Sequence, residues 1–170
     1  VGNGQVCIAT KINYCNESLG MEDGRIKDGD ITASSYWYMC GPVPCRPYKG
    51  RLNSDAAWLT ATPSPNEYLQ VDLLKITKLT SIATQGFPLG HYGARYTREY
   101  KLKYSNNVAS SFQDHGTTFT GNTDANSVVK NAISPPIVAR YVRVHSLSWQ
   151  TTIALRIELY GCKKGFDFSI

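Results

Sequence analysis

Cysteine and histidine are the residue types in this chain that most often carry chemistry, and their spacing speaks against a metal centre. The five cysteines are Cys7, Cys15, Cys40, Cys45 and Cys162. They form no C-x-x-C pair and have no histidine at metal-ligand spacing, which argues against a zinc site and a thioredoxin-like site. Disulfides formed in an oxidising compartment are the interpretation that we favour, so we expect a secreted, extracellular protein.

The histidines give no sign of catalysis. His91, His115 and His145 lie in separate segments, and no motif places one of them beside a nucleophile. We therefore expect that the protein is not an enzyme. His145 ends a predicted strand and is expected to be structural, whereas His91 lies in a Gly- and Pro-rich loop and is a ligand candidate whose titration would make binding pH-sensitive.

The triplet Asp28-Gly29-Asp30 has two interpretations that the sequence leaves open. It is similar to a fragment of a calcium loop. It also suits a polar turn in which the aspartates cap backbone amides. We expect no cofactor to be required and assign no metal ligand, with structural calcium kept as the alternative.

Charge and hydropathy exclude two further classes of protein. The 18 Lys and Arg exceed the 13 Asp and Glu and give a net charge of +5, which favours anionic partners. These cations are scattered, with no run longer than Lys163-Lys164, so we expect no nucleic-acid partner. No stretch approaches the roughly 20 apolar residues of a transmembrane helix, and Asn16-Glu17-Ser18 forms a glycosylation sequon at Asn16, consistent with secretion.

Period-two alternation of apolar and polar residues indicates an all-β chain. It recurs at Leu69–Leu73, Tyr100–Tyr104, Val142–Val144 and Ala154–Tyr160, and each segment is expected to bury one face and solvate the other. Turn-rich segments separate these strands, and no window sustains a helical period. The pattern predicts an antiparallel sandwich or barrel.

Four ordered groups of residues carry a resemblance to a known family. They are Leu19–Ile26 with Ile31–Ser35; Arg51–Ser54 with Ala57-Trp58; Tyr68–Leu73 with Ile82–Gly86; and Gly121–Asp124 with Pro135–Val144 and Ile153–Cys162. From Cys15 to Cys162 the chain resembles the discoidin, or coagulation factor 5/8 type C, family of galactose-binding-like domains. The resemblance implies a jelly-roll β-sandwich of about eight core strands, with ligand-binding loops at the pole opposite the chain ends.

The resemblance also implies the domain boundaries and one disulfide. Cys15 and Cys162 would pair and delimit the domain, 15–162, between an N-terminal extension, 1–14, and a C-terminal tail, 163–170. Cys40 and Cys45, separated by Gly-Pro-Val-Pro, suit a second disulfide that pins a tight turn. Cys7 is then left over, and we expect it to link two copies of the chain, with attachment to another subunit or a free thiol as the alternatives.

Two loops are expected to bind the ligand, because each combines apolar side chains with cations. The candidates in the first loop are Tyr36, Trp37, Tyr38, Met39, Arg46 and Lys49. Those in the second are Phe87, Leu89, His91, Tyr92 and Arg95. An alternative is that Trp37 and Met39 fold back onto the rim of the sandwich and that the Cys40–Cys45 bridge only staples a long connection.

The partner is expected to be a cell-surface or matrix ligand, either anionic phospholipid or a protein receptor. A soluble lectin that binds glycans, with a role in innate defence, is the alternative, because aromatic rings stack on sugars while Arg, Asn and Asp hydrogen-bond hydroxyls. The segment that corresponds to a third family loop is short, Ser54-Asp55-Ala56, so the family's ligand preference does not transfer directly.

Overall fold

The computed structural model describes residues 15–40, 45–87 and 93–163. These residues form eight strands: β1 Glu17–Ser18, β2 Ile31–Ala33, β3 Trp58–Leu59, β4 Tyr68–Gln85, β5 Tyr96–Ser105, β6 Gln113–Thr120, β7 Val129–Gln150 and β8 Ala154–Lys163. The helical structure among them consists of two 3₁₀ turns, Asp28–Asp30 and Pro47–Lys49. Every strand pairing is antiparallel.

Two long strands, β4 and β7, run through both layers of the sandwich. Their pairing is interrupted between Asp72 and Thr77, where Leu74 has a φ of 63°. Residues 68–72 of β4 and 141–150 of β7 form the front layer with β2, β5 and β6. Residues 77–85 of β4 and 129–139 of β7 form the back layer with β1 and β8. The predicted all-β antiparallel sandwich is confirmed.

The core lies between the two layers and consists of the inward-facing residues of each alternating strand. The front layer contributes Leu69, Val71, Leu102, Val142 and Val144. The back layer contributes Leu79, Ile82, Ile137, Ile157 and Leu159. All of these side chains are buried, so the alternation in the sequence correctly predicts which face each strand turns inward.

The last strand, β8, departs from the expected pattern because it is buried on both faces. Arg156 and Glu158 were predicted to face solvent, but they are only 4% and 1% exposed. A charged side chain is buried without a large free-energy penalty when hydrogen bonds satisfy it, and both residues meet this condition. Glu158 accepts N–H groups from Gly20, Met21, Glu22 and Leu159 at 2.8–3.3 Å.

The two poles of the sandwich are separated along β4. Cys15 and Cys162 form a disulfide, as the family resemblance implies. Cys162 lies opposite Lys78, seven residues before Gln85, where β4 ends. At about 3.3 Å per residue, the disulfide lies about 23 Å from the end of β4. The loops that follow β4 and precede β8 therefore lie at the opposite pole from the disulfide.

Candidate functional site

The first loop, which connects β2 to β3, presents three large side chains to solvent at the pole opposite the disulfide. Trp37, Tyr38 and Met39 are 39%, 69% and 77% exposed. The indole N–H of the buried Trp58 donates to the Ser35 carbonyl at 2.8 Å, and the Trp37 N–H donates to the Leu59 carbonyl at 2.9 Å. Tyr38 and Met39 therefore project outward, whereas Trp37 is exposed to a smaller extent.

A disulfide fixes this loop to the body of the domain. Cys40 and Cys45 are bonded, with their Cα atoms 5.6 Å apart. Cys45 is fully buried in a small hydrophobic cluster under the loops, which also contains Ala57, Leu59, Phe87 and Ala154. Because the loop is anchored on both sides, less conformational entropy is lost when Trp37, Tyr38 and Met39 contact a ligand.

Two of the predicted cations lie against aromatic rings of the same pole. The Arg95 guanidinium carbon lies 5.6 Å from the centroid of Trp37, and that of Arg46 lies 5.8 Å from the centroid of Tyr36. Both distances are in the range of cation–π contacts. Tyr36 itself packs against the main core. Lys49 forms an ion pair with Asp55 at 3.0 Å, which offsets its charge locally.

Phe87, at the start of the second loop, contributes less to the exposed surface than its sequence indicated. Phe87 was predicted to be an apolar contact at a loop tip, but it is only 8% exposed. It forms a β-bridge with Arg95 at the base of the loop, and its ring belongs to the cluster around Cys45. A Cβ at Gly86 would lie 2.5 Å from the Arg95 carbonyl oxygen, so the close approach at this base requires glycine. Leu89, His91 and Tyr92 lie outside the described residues.

Arg156 is a positioning residue for the loops that the sequence did not reveal. Its guanidinium donates to three backbone carbonyls, those of Gly86 at 2.7 Å, Ser54 at 2.9 Å and Ala125 at 3.1 Å. These carbonyls belong to three different connections: β4 to β5, the segment before β3, and β6 to β7. Burial lowers the pKa of Arg156. One buried side chain therefore links the base of three connections.

Two amide side chains extend this support. Gln85 accepts from the Asn53 N–H at 2.8 Å and donates to the Asn126 carbonyl at 2.9 Å. Asn122 donates to the carbonyls of Thr84 at 3.2 Å and Ser127 at 2.7 Å. Both residues stand in motifs that carry the family resemblance, but only the contacts reveal that they hold the loops together.

The residues of the candidate calcium loop are held by other partners. The Arg51 guanidinium donates to the Met21 carbonyl at 2.8 Å and to the Asp28 carboxylate at 2.5 Å. Asp30 accepts the N–H of Lys27. Calcium needs six to eight oxygen ligands, whereas here the Asp28 carboxylate is bound by a guanidinium and the Asp30 carboxylate by a backbone N–H. This arrangement favours the polar-turn interpretation over calcium.

We therefore expect chelation to leave the melting temperature unchanged. A ligand that binds only the folded state raises its stability by mass action, so removing a structural calcium would lower the melting temperature. Thermal unfolding would be measured by circular dichroism in EDTA and in about 10 mM calcium. This calcium concentration is high enough to saturate even a weak extracellular calcium site. A rise of several degrees with calcium alone would contradict the expectation.

Comparisons with known proteins identify the family of this domain. A family model described as the F5/8 type C domain matches residues 30–159. The chain belongs to this family. Coagulation factor V of Sus scrofa is 37% identical over 161 residues, which cover 89% of this chain and 7% of factor V. Lactadherin of Rattus norvegicus is 38% identical over 165 residues, which cover 91% of this chain and 38% of lactadherin.

Solved structures show the same fold at lower identity. Discoidin II of Dictyostelium discoideum superposes on this F5/8 type C domain with a TM-score of 0.65 at 23% identity, covering 78% of this chain and 54% of that chain. The family 32 CBM from C. perfringens NanJ in complex with galactose gives a TM-score of 0.58 at 19% identity, covering 85% and 98%. These neighbours show the fold, and the family match and the sequence relatives support a binding module.

The remaining predicted residues lie away from the loops or outside the described ranges. Asn16 is exposed, and its side-chain oxygen accepts from the Ser81 hydroxyl at 2.6 Å. His115 bonds the Pro135 carbonyl at 2.9 Å, and His145 is buried in the front layer. Cys7 lies outside the described residues, so covalent dimerisation stays a prediction. Within the described ranges, no helix is long and apolar enough to cross a membrane.

Proposed function

We propose that this F5/8 type C domain is a secreted recognition module that attaches to anionic phospholipid surfaces through its first loop. The observation that carries the proposal is the exposure of Trp37, Tyr38 and Met39 on a disulfide-anchored loop, with Arg46 and Arg95 against the neighbouring rings. Trp and Met can enter the apolar zone of a bilayer while the guanidinium groups meet headgroup phosphates. The two disulfides support an extracellular location.

The free energies are sufficient for such attachment. Full burial of Trp37 and Met39 would contribute roughly 1.5 to 3 kcal/mol each. A cation close to an anionic surface adds about 1 kcal/mol, so Arg46 and Arg95 together add about 2 kcal/mol. The sum of about 5 to 8 kcal/mol corresponds to dissociation constants from sub-millimolar to micromolar. Ordering costs are reduced because the loop is already anchored.

Replacing Trp37 with Ala is expected to weaken binding to phosphatidylserine vesicles by roughly tenfold to a hundredfold, because one apolar anchor is worth about 1.5 to 3 kcal/mol. Met39→Ala should have an effect of the same sign, since its side chain is 77% exposed and can also be buried by the bilayer. Binding would be measured by co-sedimentation with vesicles that contain or lack phosphatidylserine. Higher salt should weaken the wild type, because the ionic contribution is screened.

The matched control is Val108→Ala, which shortens an exposed apolar residue in the connection between β5 and β6, near the disulfide pole. Its vesicle affinity should equal that of the wild type. Equal loss in Val108→Ala and Trp37→Ala, or wild-type affinity in Trp37→Ala with an unchanged melting temperature, would contradict membrane attachment through the first loop.

A soluble lectin is the second candidate function. The observation that favours it is the pairing of aromatic rings with arginines, Tyr36 with Arg46 and Trp37 with Arg95, which suits stacking on a sugar with hydrogen bonds to its hydroxyls. The family 32 CBM with a similar fold is in complex with galactose. Inhibition by one simple sugar at millimolar concentration, with no response to phosphatidylserine, would favour the lectin. If neither simple sugars nor phosphatidylserine vesicles bind, a protein receptor would be favoured.

Cys7 bears on the strength of attachment. If it links two copies of the chain, as we propose, both modules could engage one surface and avidity would exceed the affinity of a single module by orders of magnitude. This proposal is independent of the identity of the ligand.

A further inference from the structure

The outer surface of the front layer carries a group of cations that the loops do not use. Lys103 lies directly opposite Arg143, and Lys101 lies directly opposite His145, on the paired strands β5 and β7. Their neighbours along the strands, Leu102 and Val144, are buried in the core. Because side chains alternate between the faces of a strand, Lys101, Lys103 and Arg143 project from the other face, away from the core.

Arg143 is held on this outer face by two aromatic rings and an amide. Its guanidinium carbon lies 3.6 Å from the centroid of Phe112 and 4.1 Å from that of Tyr68, so both rings make cation–π contacts with it. Its Nε donates to the Gln70 side-chain oxygen at 2.8 Å. Among the described residues, none accepts a hydrogen bond from Nη1 or Nη2. This pair of nitrogens has the fork geometry that binds a sulfate, phosphate or carboxylate in a bidentate manner.

The two lysines extend the positive surface beside Arg143. Lys101 forms an ion pair with Asp114 at 3.1 Å, which positions its side chain, and within the described part of the chain Lys103 has no hydrogen-bonded or ion-paired partner. Asp114 is therefore the carboxylate that is ion-paired with this group of three cations. The positive charge also affects the neighbouring His145. Its burial, and then the charges of Lys103, Lys101 and Arg143, lower its pKa to about 4. The same residue has a buried Nε2 without a hydrogen-bond partner.

We propose that this surface, formed by Lys101, Lys103 and Arg143 with Tyr68 and Phe112 and here called the cationic face, binds sulfate groups of a sulfated polysaccharide. The fixed guanidinium edge would take one sulfate in a bidentate manner, and the flexible lysines would take neighbouring sulfates along the chain. The rings of Tyr68 and Phe112 hold the guanidinium in place and so reduce the entropy lost on binding.

The position of the cationic face favours a soluble polyanion over the lipid surface. Lys101 and Lys103 are five and seven residues from Tyr96, where β5 leaves the loop pole. At about 3.3 Å per residue they lie roughly 17 and 23 Å along the strand from that pole. Both distances exceed the Debye length of about 8 Å at physiological salt, so a membrane that contacts the first loop would be largely screened from these cations. A polysaccharide chain can reach them while the loops are engaged.

The test is binding of a heparin oligosaccharide, measured by calorimetry with the wild type and two variants. Lys101→Gln/Lys103→Gln removes two charges from the cationic face and should weaken binding by roughly tenfold or more, since hydrogen bonds to charged groups are stronger than those between neutral groups. Arg143→Lys keeps the net charge but removes the fork, and it should also weaken binding by roughly tenfold. Melting temperatures close to that of the wild type would show that the variants are folded.

The matched control is Lys75→Gln/Lys130→Gln, which removes the same two charges from exposed positions outside the cationic face. It should retain wild-type affinity for heparin. If it loses as much affinity as Lys101→Gln/Lys103→Gln, or if Arg143→Lys binds as the wild type does, binding follows net charge alone and the proposal is overturned. Displacement of heparin by phosphatidylserine vesicles would likewise overturn the separation of the two surfaces.

The variants of the cationic face, Lys101→Gln/Lys103→Gln and Arg143→Lys, should bind phosphatidylserine vesicles as the wild type does. The outcome of the heparin test is therefore independent of membrane attachment.

Discussion

Replacing Cys15 and Cys162 with Ser is expected to lower the free energy of unfolding by about 5 kcal/mol, the largest effect of any change considered for this domain. The bond joins residues 147 positions apart, so its loss releases nearly the whole described chain in the unfolded state. Chain entropy rises with the logarithm of the closed loop, which makes a bond between the ends of the domain especially effective. Urea unfolding monitored by tryptophan fluorescence would measure the difference.

The second disulfide provides the comparison. The Cys40–Cys45 bond spans only five positions, so the same entropy model assigns it about 2 kcal/mol. Cys40→Ser/Cys45→Ser should therefore cost less stability than Cys15→Ser/Cys162→Ser while loosening the first loop. A larger loss of stability from the short bridge than from the long one would show that loop-closure entropy is not the dominant contribution of these bonds.

Arg156→Met is expected to lower the free energy of unfolding by about 4 kcal/mol and to weaken ligand binding at the loop pole. Methionine has a similar length but donates no hydrogen bond, so the carbonyls of Gly86, Ser54 and Ala125 would lose their common donor. Each buried or half-buried acceptor left unsatisfied costs about 1 to 3 kcal/mol. Urea unfolding gives the loss of stability, and hydrogen exchange of the three connections shows whether they open locally.

Arg25→Met is the matched control for this substitution. Arg25 pairs with Asp23 at 2.7 Å and donates to the Ser18 carbonyl at 2.7 Å, but these contacts are exposed to solvent, so the change should cost much less stability than Arg156→Met. Equal losses of stability in the two variants, or normal exchange rates in the three connections of Arg156→Met, would show that Arg156 does not hold the loops.

Much of the fold follows from local patterns in the sequence. The alternation at Leu69–Leu73 and Tyr100–Tyr104 predicts both the strands and their inward faces, because a strand turns successive side chains to opposite sides. The cysteine spacing, together with the family resemblance, predicts both disulfides of the described chain. Three of the four apolar candidates in the first loop, Trp37, Tyr38 and Met39, are exposed, and their role in binding stays a prediction. In each case the prediction depends on neighbours in sequence or on a motif.

The burial of β8 and of Phe87 could not be predicted in this way. Alternation assigns Arg156 and Glu158 to the face opposite Leu155 and Ile157, but it does not say whether that face meets solvent or other segments. It meets backbone groups from segments 31 to 138 residues away, which satisfy both charges. Phe87 is turned inward by its bridge with Arg95, eight residues later. The charge and hydropathy of a single segment do not show which distant segments will contact it.

The cationic face shows the same division between sequence and structure. Lys101 and Lys103 stand two residues apart on one strand, so the alternation places them on one face of β5. Arg143 joins them only through the register of β5 with β7, and its orientation depends on Tyr68 and Phe112 from two further segments. The sequence by itself determined four strand segments, the side of each that faces the core and the disulfide-forming cysteines, because these depend on local periodicity and on motifs. The tertiary structure decided which charges are buried, which rings are turned inward and which cations meet, because those outcomes depend on contacts between residues far apart in the chain.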